Sequence, residues 1–144
     1  MTDLQERFSG ALHNTSRAWR QALDRRLKYL GLSQASWMTI AVAAKARSPL
    51  SQSELADRLD VEGATMVSMV DRLVKAGLVI REPSTTDRRV KRVVLTPAGN
   101  RLYGQVRDEA AAFRKELLAT MDPKKLLVAT ELLESLQELI DTVP

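Results

Sequence analysis

The 144-residue sequence contains no cysteine, a single histidine and only two residues each of tryptophan, tyrosine and phenylalanine. Without cysteine there is no disulfide framework, thiolate zinc site, cysteine nucleophile or thiol redox sensor. Because His13 is the only histidine, any Ser/His/Asp triad or histidine-containing metal site would have to use it, which argues against both. The phosphate-cradling patterns GxGxxG and GxxxxGK[ST] are also missing. We therefore expect a protein that is not an enzyme and needs no metal or cofactor.

Long hydrophobic runs are absent as well. Apolar stretches such as Ile40–Ala44 are far shorter than the roughly 20 residues that a bilayer-spanning helix needs. The first four residues include an acid and lead into no apolar segment, so we expect no membrane association and no secretory signal. With 44% hydrophobic and 28% charged residues, the chain is expected to form one domain, residues 1–144, in the cytoplasm.

Apolar residues recur every three or four positions along most of the chain, which predicts six helices. Start and stop signals divide them: Gly31 ends the first, Ser33 begins the second, Ser51 with Glu54 begins the third as a capping box, Gly77 ends the fourth, and Thr96 and Asp122 begin the last two. The third and fourth helices are separated only by residues 60–63. This order predicts a helix, a tight turn and a second helix in the middle of the chain.

Two segments rich in β-branched residues, 78–82 and 90–96, flank a polar stretch and predict an antiparallel hairpin. A helix-turn-helix followed by a hairpin is the winged form of a DNA-binding domain. The expected fold is mainly α with a small β-hairpin wing. Residues 33–96 would form the winged helix-turn-helix region, and residues 1–31 and 97–144 a helical dimerisation region.

The fourth helix has a small, polar and basic face opposite its apolar stripe of Met66, Val70 and Leu73. The hairpin adds a cluster of cations, which suits the phosphate backbone or a narrow minor groove. The resulting candidates for DNA binding are Thr65, Ser68, Arg72 and Lys75 on the helix, and Arg88, Arg89 and Lys91 on the wing. Asp71 would repel DNA unless it is paired. Asp87 is expected to pair with one neighbouring arginine and stiffen the wing.

Four segments, 53–56 (SELA), 69–79 (MVDRLVKAGLV), 87–89 (DRR) and 95–99 (LTPAG), resemble the MarR family of bacterial transcriptional regulators in order and spacing. The resemblance covers nearly the whole chain. It implies an obligate homodimer that binds a pseudopalindromic operator in double-stranded DNA, as a repressor. Residue by residue, Thr65, Ser68 and Arg72 match recognition-helix positions, and Arg88 and Arg89 match the wing.

The apolar faces of the terminal helices support a dimer independently, because one helix pair beside a small winged domain cannot cover them. A twofold interface would hide them. The candidate interface residues are Phe8, Leu12, Leu117, Leu132, Leu133, Leu136, Leu139 and Ile140.

The family resemblance also implies regulation by a small aromatic or phenolic anion. Its candidate lining is His13, Arg17, Trp19 and Trp37, which offers aromatic walls and cationic ends. The simpler interpretation makes both tryptophans core residues and His13 an ordinary surface or interface residue. The alternative function is a winged-helix module for protein–protein interaction, which predicts an apolar outward face on the fourth helix and a neutral wing.

Overall fold

The computed structural model describes residues 2–144 and confirms a mainly α fold with a small antiparallel sheet. Its elements are α1 (Thr2–Arg26), α2 (Gln34–Lys45), β1 (Leu50–Ser51), α3 (Gln52–Leu59), α4 (Gly63–Lys75), β2 (Val79–Pro83), β3 (Lys91–Leu95), α5 (Pro97–Leu118) and α6 (Pro123–Asp141). No helix within residues 2–144 has the length and apolar character needed to cross a bilayer.

The helices begin where capping side chains satisfy their first backbone N–H groups. Ser33 and Asp122 each accept a hydrogen bond from the first turn of the helix that follows, α2 and α6. Ser51 and Glu54 form the expected capping box, with N···O distances of 3.1 and 3.0 Å. The backbone and hydroxyl of Ser51 hold the pKa of the Glu54 carboxyl below its ordinary value, because both bonds favour the charged form.

The first helix is shorter than the sequence pattern predicts. The N–H of Leu27 is shared between the carbonyls of Leu23 and Asp24, and the chain then tightens into a 3₁₀ turn over Lys28–Leu30. Gly31 ends this turn at φ 73°, a left-handed conformation that glycine adopts without steric cost. The stop signal at Gly31 is therefore correct, but the residues before it are not α-helical.

The sheet has three strands rather than the two of the predicted hairpin, in the order β1-β3-β2. Leu50 of β1 pairs with Val93 of β3, and Val79 of β2 pairs with Leu95 of β3. The added strand has only two residues, which is too short for an alternating pattern to appear in the sequence.

The core lies where the sheet meets α2, α3 and α4. Its buried members are Ile40, Leu50, Leu55, Ala56, Met66, Met69, Val70, Leu73, Val79 and Val93. By compactness the chain divides into two units, one up to Ala111 and the other from Ala112 to Pro144. The first unit holds this core. The second contains the end of α5 and all of α6, and no residue of α6 is buried.

Candidate nucleic-acid interface

The fourth helix, α4, separates its buried and exposed faces cleanly. Met66, Met69, Val70 and Leu73 face the core and are at most 4% exposed. The opposite side chains are all exposed: Ala64, Thr65, Ser68, Asp71, Arg72 and Lys75. Thus the four candidate residues of this helix lie on its accessible face.

The end of α4 leads directly into the wing through a Schellman motif. Gly77 has φ 75°, and its N–H donates to the Val74 carbonyl at 2.9 Å. The next N–H, of Leu78, donates to the Leu73 carbonyl at 3.0 Å. These two bonds satisfy the last carbonyls of the helix and set the direction in which β2 leaves it.

The C-terminal end of the wing, after β3, is also hydrogen-bonded to the residues that end α4. The Thr96 hydroxyl donates to the Gly77 carbonyl at 2.6 Å and accepts from the Gly99 N–H at 3.0 Å, which caps α5. A Cβ at position 99 would collide with the backbone carbonyl of Leu78, so only glycine fits. The Leu-Thr-x-x-Gly pattern therefore marks the junction at which α4, the wing and α5 meet.

Arg81 of β2 joins three elements beneath the exposed face. Its Nη2 donates to Asp71 Oδ1 at 2.6 Å and to the Val67 carbonyl at 3.2 Å, both on α4. Its Nε donates to Gln52 Oε1 of α3 at 2.7 Å. The ion pair neutralises the one carboxylate on the exposed face of α4 and orients the wing strand relative to both helices.

The role of Arg81 was not predicted, although the sequence contains a signal for it. Side chains alternate along a strand, so Arg81 lies on the same face of β2 as the buried Val79. A cation on an inward-facing position requires a partner. Asp71, which the sequence marks as misplaced unless paired, is that partner.

The tip of the wing is ordered by its own side chains. The Ser84 N–H donates to the Val90 carbonyl at 2.8 Å, which closes the loop. The Asp87 carboxylate accepts from Arg89 Nε at 3.2 Å, from Nη2 at 3.3 Å and from the backbone N–H at 3.0 Å. The Arg89 side chain, and then its backbone N–H, hold the pKa of Asp87 below its ordinary value. Arg88 makes no such pair and is exposed.

The basic residues between positions 81 and 92 therefore fall into two groups. Arg81 and Arg92 are half-buried within the sheet. Arg88, Arg89 and Lys91 are exposed, and the Arg89 side chain keeps 91% of its accessible surface. Only the second group presents its charge to a partner in solution.

The residues that the sequence suggests for ligand binding do not share one environment. His13 and Arg17 are exposed on α1, and Trp19 is half-buried. Trp37 is only 6% exposed, and its Nε1 donates to Asp24 Oδ1 at 2.9 Å. This tryptophan is packed within the fold, as the simpler interpretation expects.

A cavity of about 490 Å³ lies elsewhere in the first unit, and none of those four residues lines it. Its walls come from Arg20 of α1, the N-terminal half of α2, residues 58–61 at the end of α3, and the beginning of α4. Among residues 2–144, no three histidine, aspartate or glutamate side chains converge as metal ligands would.

The candidate dimer residues are almost all accessible in the single chain. Leu136 is half-buried, and the other seven, Phe8, Leu12, Leu117, Leu132, Leu133, Leu139 and Ile140, are exposed. Each lies on one of the terminal helices α1, α5 and α6.

Comparison with known proteins agrees with this architecture. Residues 32–91 match the model of the MarR family. The structure of the transcriptional regulator PA3341 is 38% identical, covers 94% of this chain and 99% of its own, and superposes with a TM-score of 0.86. Staphylococcus aureus MarR in complex with salicylate and kanamycin is 20% identical, with coverage of 97% and 95% and a TM-score of 0.83. CouR from Rhodococcus jostii RHA1, bound to p-coumaroyl-CoA, is 21% identical, with coverage of 98% and 96% and a TM-score of 0.80. The chain therefore belongs to the MarR family of transcriptional regulators.

Proposed function

We propose that this chain is a homodimeric repressor that binds a pseudopalindromic operator in double-stranded DNA, in the bacterial cytoplasm. The observation that carries the proposal is the distribution of charged side chains on the winged region. The cations of the wing tip and the polar face of α4 are exposed, whereas the one carboxylate on that face is neutralised by Arg81. A surface with this composition matches a groove and its flanking phosphates.

Each candidate has a role that follows from its chemistry. Thr65 and Ser68 carry short hydroxyl side chains, which reach base edges or phosphates when a helix enters the major groove. Arg72 and Lys75 neutralise phosphates, or donate to the acceptor edge of guanine. On the wing, the cations Arg88, Arg89 and Lys91 follow the backbone or enter the minor groove, and Asp87 fixes the orientation of Arg89.

Dimerisation is supported by the exposed apolar side chains of α6. Leu132 and Leu139 are 55% and 65% exposed in the single chain, and Leu127 and Val128 are more than half exposed as well. An amphipathic helix with this much open apolar surface requires a partner. A second copy of the same chain provides it through a twofold axis, and that axis explains why the operator would be pseudopalindromic.

Operator binding would respond to a small aromatic or phenolic ligand. The support comes from two structural neighbours, one bound to p-coumaroyl-CoA and one to salicylate. A ligand with different affinities for the DNA-competent and DNA-incompetent states shifts the balance between them.

The test begins with selection of bound fragments from the genome of the source organism, followed by anisotropy titrations of the selected site at several salt concentrations. Arg88→Ala should flatten the dependence of log K on log salt by ~0.9 for each phosphate contact that is lost. Ser68→Ala should instead change the preferred sequence. Arg101→Ala, which removes an exposed arginine of α5, should leave both properties unchanged.

The alternative, a module for protein–protein interaction, predicts that no fragment is enriched. It also predicts that Arg88→Ala has no effect on residual DNA binding. The polar residues Thr65, Ser68 and Arg72 on the outward face of α4 favour DNA, because a protein-docking face would be expected to be apolar.

A further inference from the structure

We infer that Val67 of α4 recognises the methyl group of a thymine in each half of the operator. Val67 lies in the second turn of α4, beside the polar face that the proposed function assigns to the major groove, and its side chain is 41% exposed. The inference rests on that proposed function and makes it more specific, because it names a base and the side chain that recognises it.

The first two turns of α4 contain few side chains that can form hydrogen bonds to bases. Residues 63–70 (GATMVSMV) include no arginine, lysine, asparagine or glutamine, which are the residues that bind guanine or adenine through two hydrogen bonds. The accessible polar side chains of these turns are the hydroxyls of Thr65 and Ser68. The N-terminal residues of a recognition helix are the ones that contact base edges. We therefore expect apolar contacts to contribute to the readout of the operator sequence.

The fold itself does not explain an apolar side chain at position 67. Met66 and Met69 of the same turns are at most 4% exposed and belong to the core, whereas Val67 does not. Valine is also a weaker helix former than alanine or lysine, because the preceding turn restricts its χ1 angle. Ala64, three residues earlier and likewise exposed, is its neighbour on the helix surface. Together Ala64 and Val67 form an apolar edge that is open to a partner outside the chain.

Thymine carries the group that matches this edge. Its C5 methyl is the one apolar group that the four bases present in the major groove. A valine in a helix has one strongly preferred rotamer, so little conformational freedom is lost when its side chain makes a contact. The backbone at this position is also fixed, since the Val67 carbonyl accepts a hydrogen bond from Arg81 Nη2 at 3.2 Å. Val67 therefore presents its methyl groups in a defined orientation beside the polar face of α4.

Val74 provides a matched control for Val67. It lies about two turns later on the same side of α4 and is 38% exposed. Its neighbours are Arg72 and Lys75, at the C-terminal end of the helix, so it is not among the residues expected to contact base edges. Changing either valine to alanine shortens an exposed side chain without opening a cavity, and both variants should therefore fold.

Replacement of thymine by uracil in the operator tests the inference, because uracil lacks only the C5 methyl. Each thymine of the selected operator is replaced in turn, in both half-sites, and the affinity of the full chain is measured by anisotropy. We expect at least one position at which the replacement weakens binding by about fourfold for each half-site, the loss that corresponds to burial of one methyl group. Val67→Ala should bind the thymine and uracil operators equally, whereas Val74→Ala should discriminate between them as the wild-type protein does.

Three results would overturn the inference. An operator in which no thymine methyl affects affinity would show that α4 does not recognise this group. An equal loss in the wild-type and Val67→Ala proteins would assign the methyl to another side chain, and loss of discrimination in Val74→Ala would show that the effect is not specific to position 67. In each case the protein still binds its operator, so the proposed function stands. Failure to select any DNA would instead contradict the proposed function, and this inference with it.

Discussion

The winged region and the last helix differ in how much of their apolar surface a single chain buries. In the winged region, Leu55, Val70 and Val79 are at most 1% exposed, and both ends of the wing are fixed by hydrogen bonds at Gly77. In α6, a capped helix of 19 residues, no side chain is buried. Local signals are therefore sufficient to form a helix, but the burial that stabilises its apolar face must come from elsewhere.

A smaller contrast of the same kind exists between two arginines of the wing. Arg81 gives all its hydrogen bonds to α3 and α4 and is half-buried. Arg88 is exposed and bonds to none of the described residues. Both side chains carry the same charge, so a count of the charges in the segment does not distinguish an arginine that holds the fold together from an exposed one.

The largest effect is expected from Leu133→Asp, which tests whether a second copy covers α6. A charge buried at the interface without a partner should weaken dimerisation by about 4 kcal/mol, or roughly 1,000-fold, because its desolvation is not compensated. Sedimentation across a concentration series would measure the change. Glu138→Lys changes an exposed charge about 140° around the helix from Leu133, on the face that carries none of the candidate interface residues, and should leave the dimer intact. A Leu133→Asp protein that remains dimeric would mean that this side of α6 is not the interface.

Gly99→Ala tests the packing of the winged region. It adds one methyl group at the junction where α4, the wing and α5 meet. Because the new Cβ would meet the backbone of Leu78, we expect a loss of about 3 kcal/mol in the free energy of unfolding. Urea denaturation would measure it. Gly104→Ala, in the same helix with only the end of Arg107 nearby, should instead add ~0.5–1 kcal/mol. Equal effects of the two substitutions would rule out a packing requirement at Gly99.

Arg81→Gln tests whether Arg81 also keeps the proposed DNA-binding face of α4 free of an unpaired negative charge. The change leaves the Asp71 carboxylate unpaired on the exposed side of α4, so we expect operator affinity to fall by roughly tenfold through repulsion of phosphate. Adding Asp71→Asn should restore most of that affinity, as measured by anisotropy. If the double variant binds no better than Arg81→Gln, the bonds to Gln52 and Val67 matter more than the charge.

Most of the fold could be predicted from sequence because its signals are local. Capping residues such as Ser33 and Ser51, and the glycine at position 77, act within a few residues of where they stand. The exposed face of α4 was predictable for the same reason, since it follows from helical periodicity. The two-residue strand β1 was not, because its evidence is a pairing with Val93 more than 40 positions away.

The same distinction applies to the candidate sites. The bond between Arg81 and Asp71 joins two elements, and only the fold shows that they are adjacent. The cavity is likewise assembled from four helices, so the sequence could not identify Arg20 and Arg58 as neighbours of the same space. Aromatic residues on α1 and α2 suggested a ligand site, but Trp37 is used for packing.

The smallest effect concerns the carboxylate that orders the wing. Bonds from the Arg89 side chain and then its N–H lower the pKa of Asp87, so the folded value lies below the unfolded value of about 3.9. The stabilisation is therefore complete above the unfolded value and is lost as the pH falls through the folded one. Titration of the Asp87 carboxyl carbon by NMR should give a midpoint below about 3.9 that rises in Arg89→Ala. Arg88→Ala should leave the midpoint unchanged, because Arg88 does not bond to Asp87, and equal shifts in both variants would assign the effect to general charge instead of this pair.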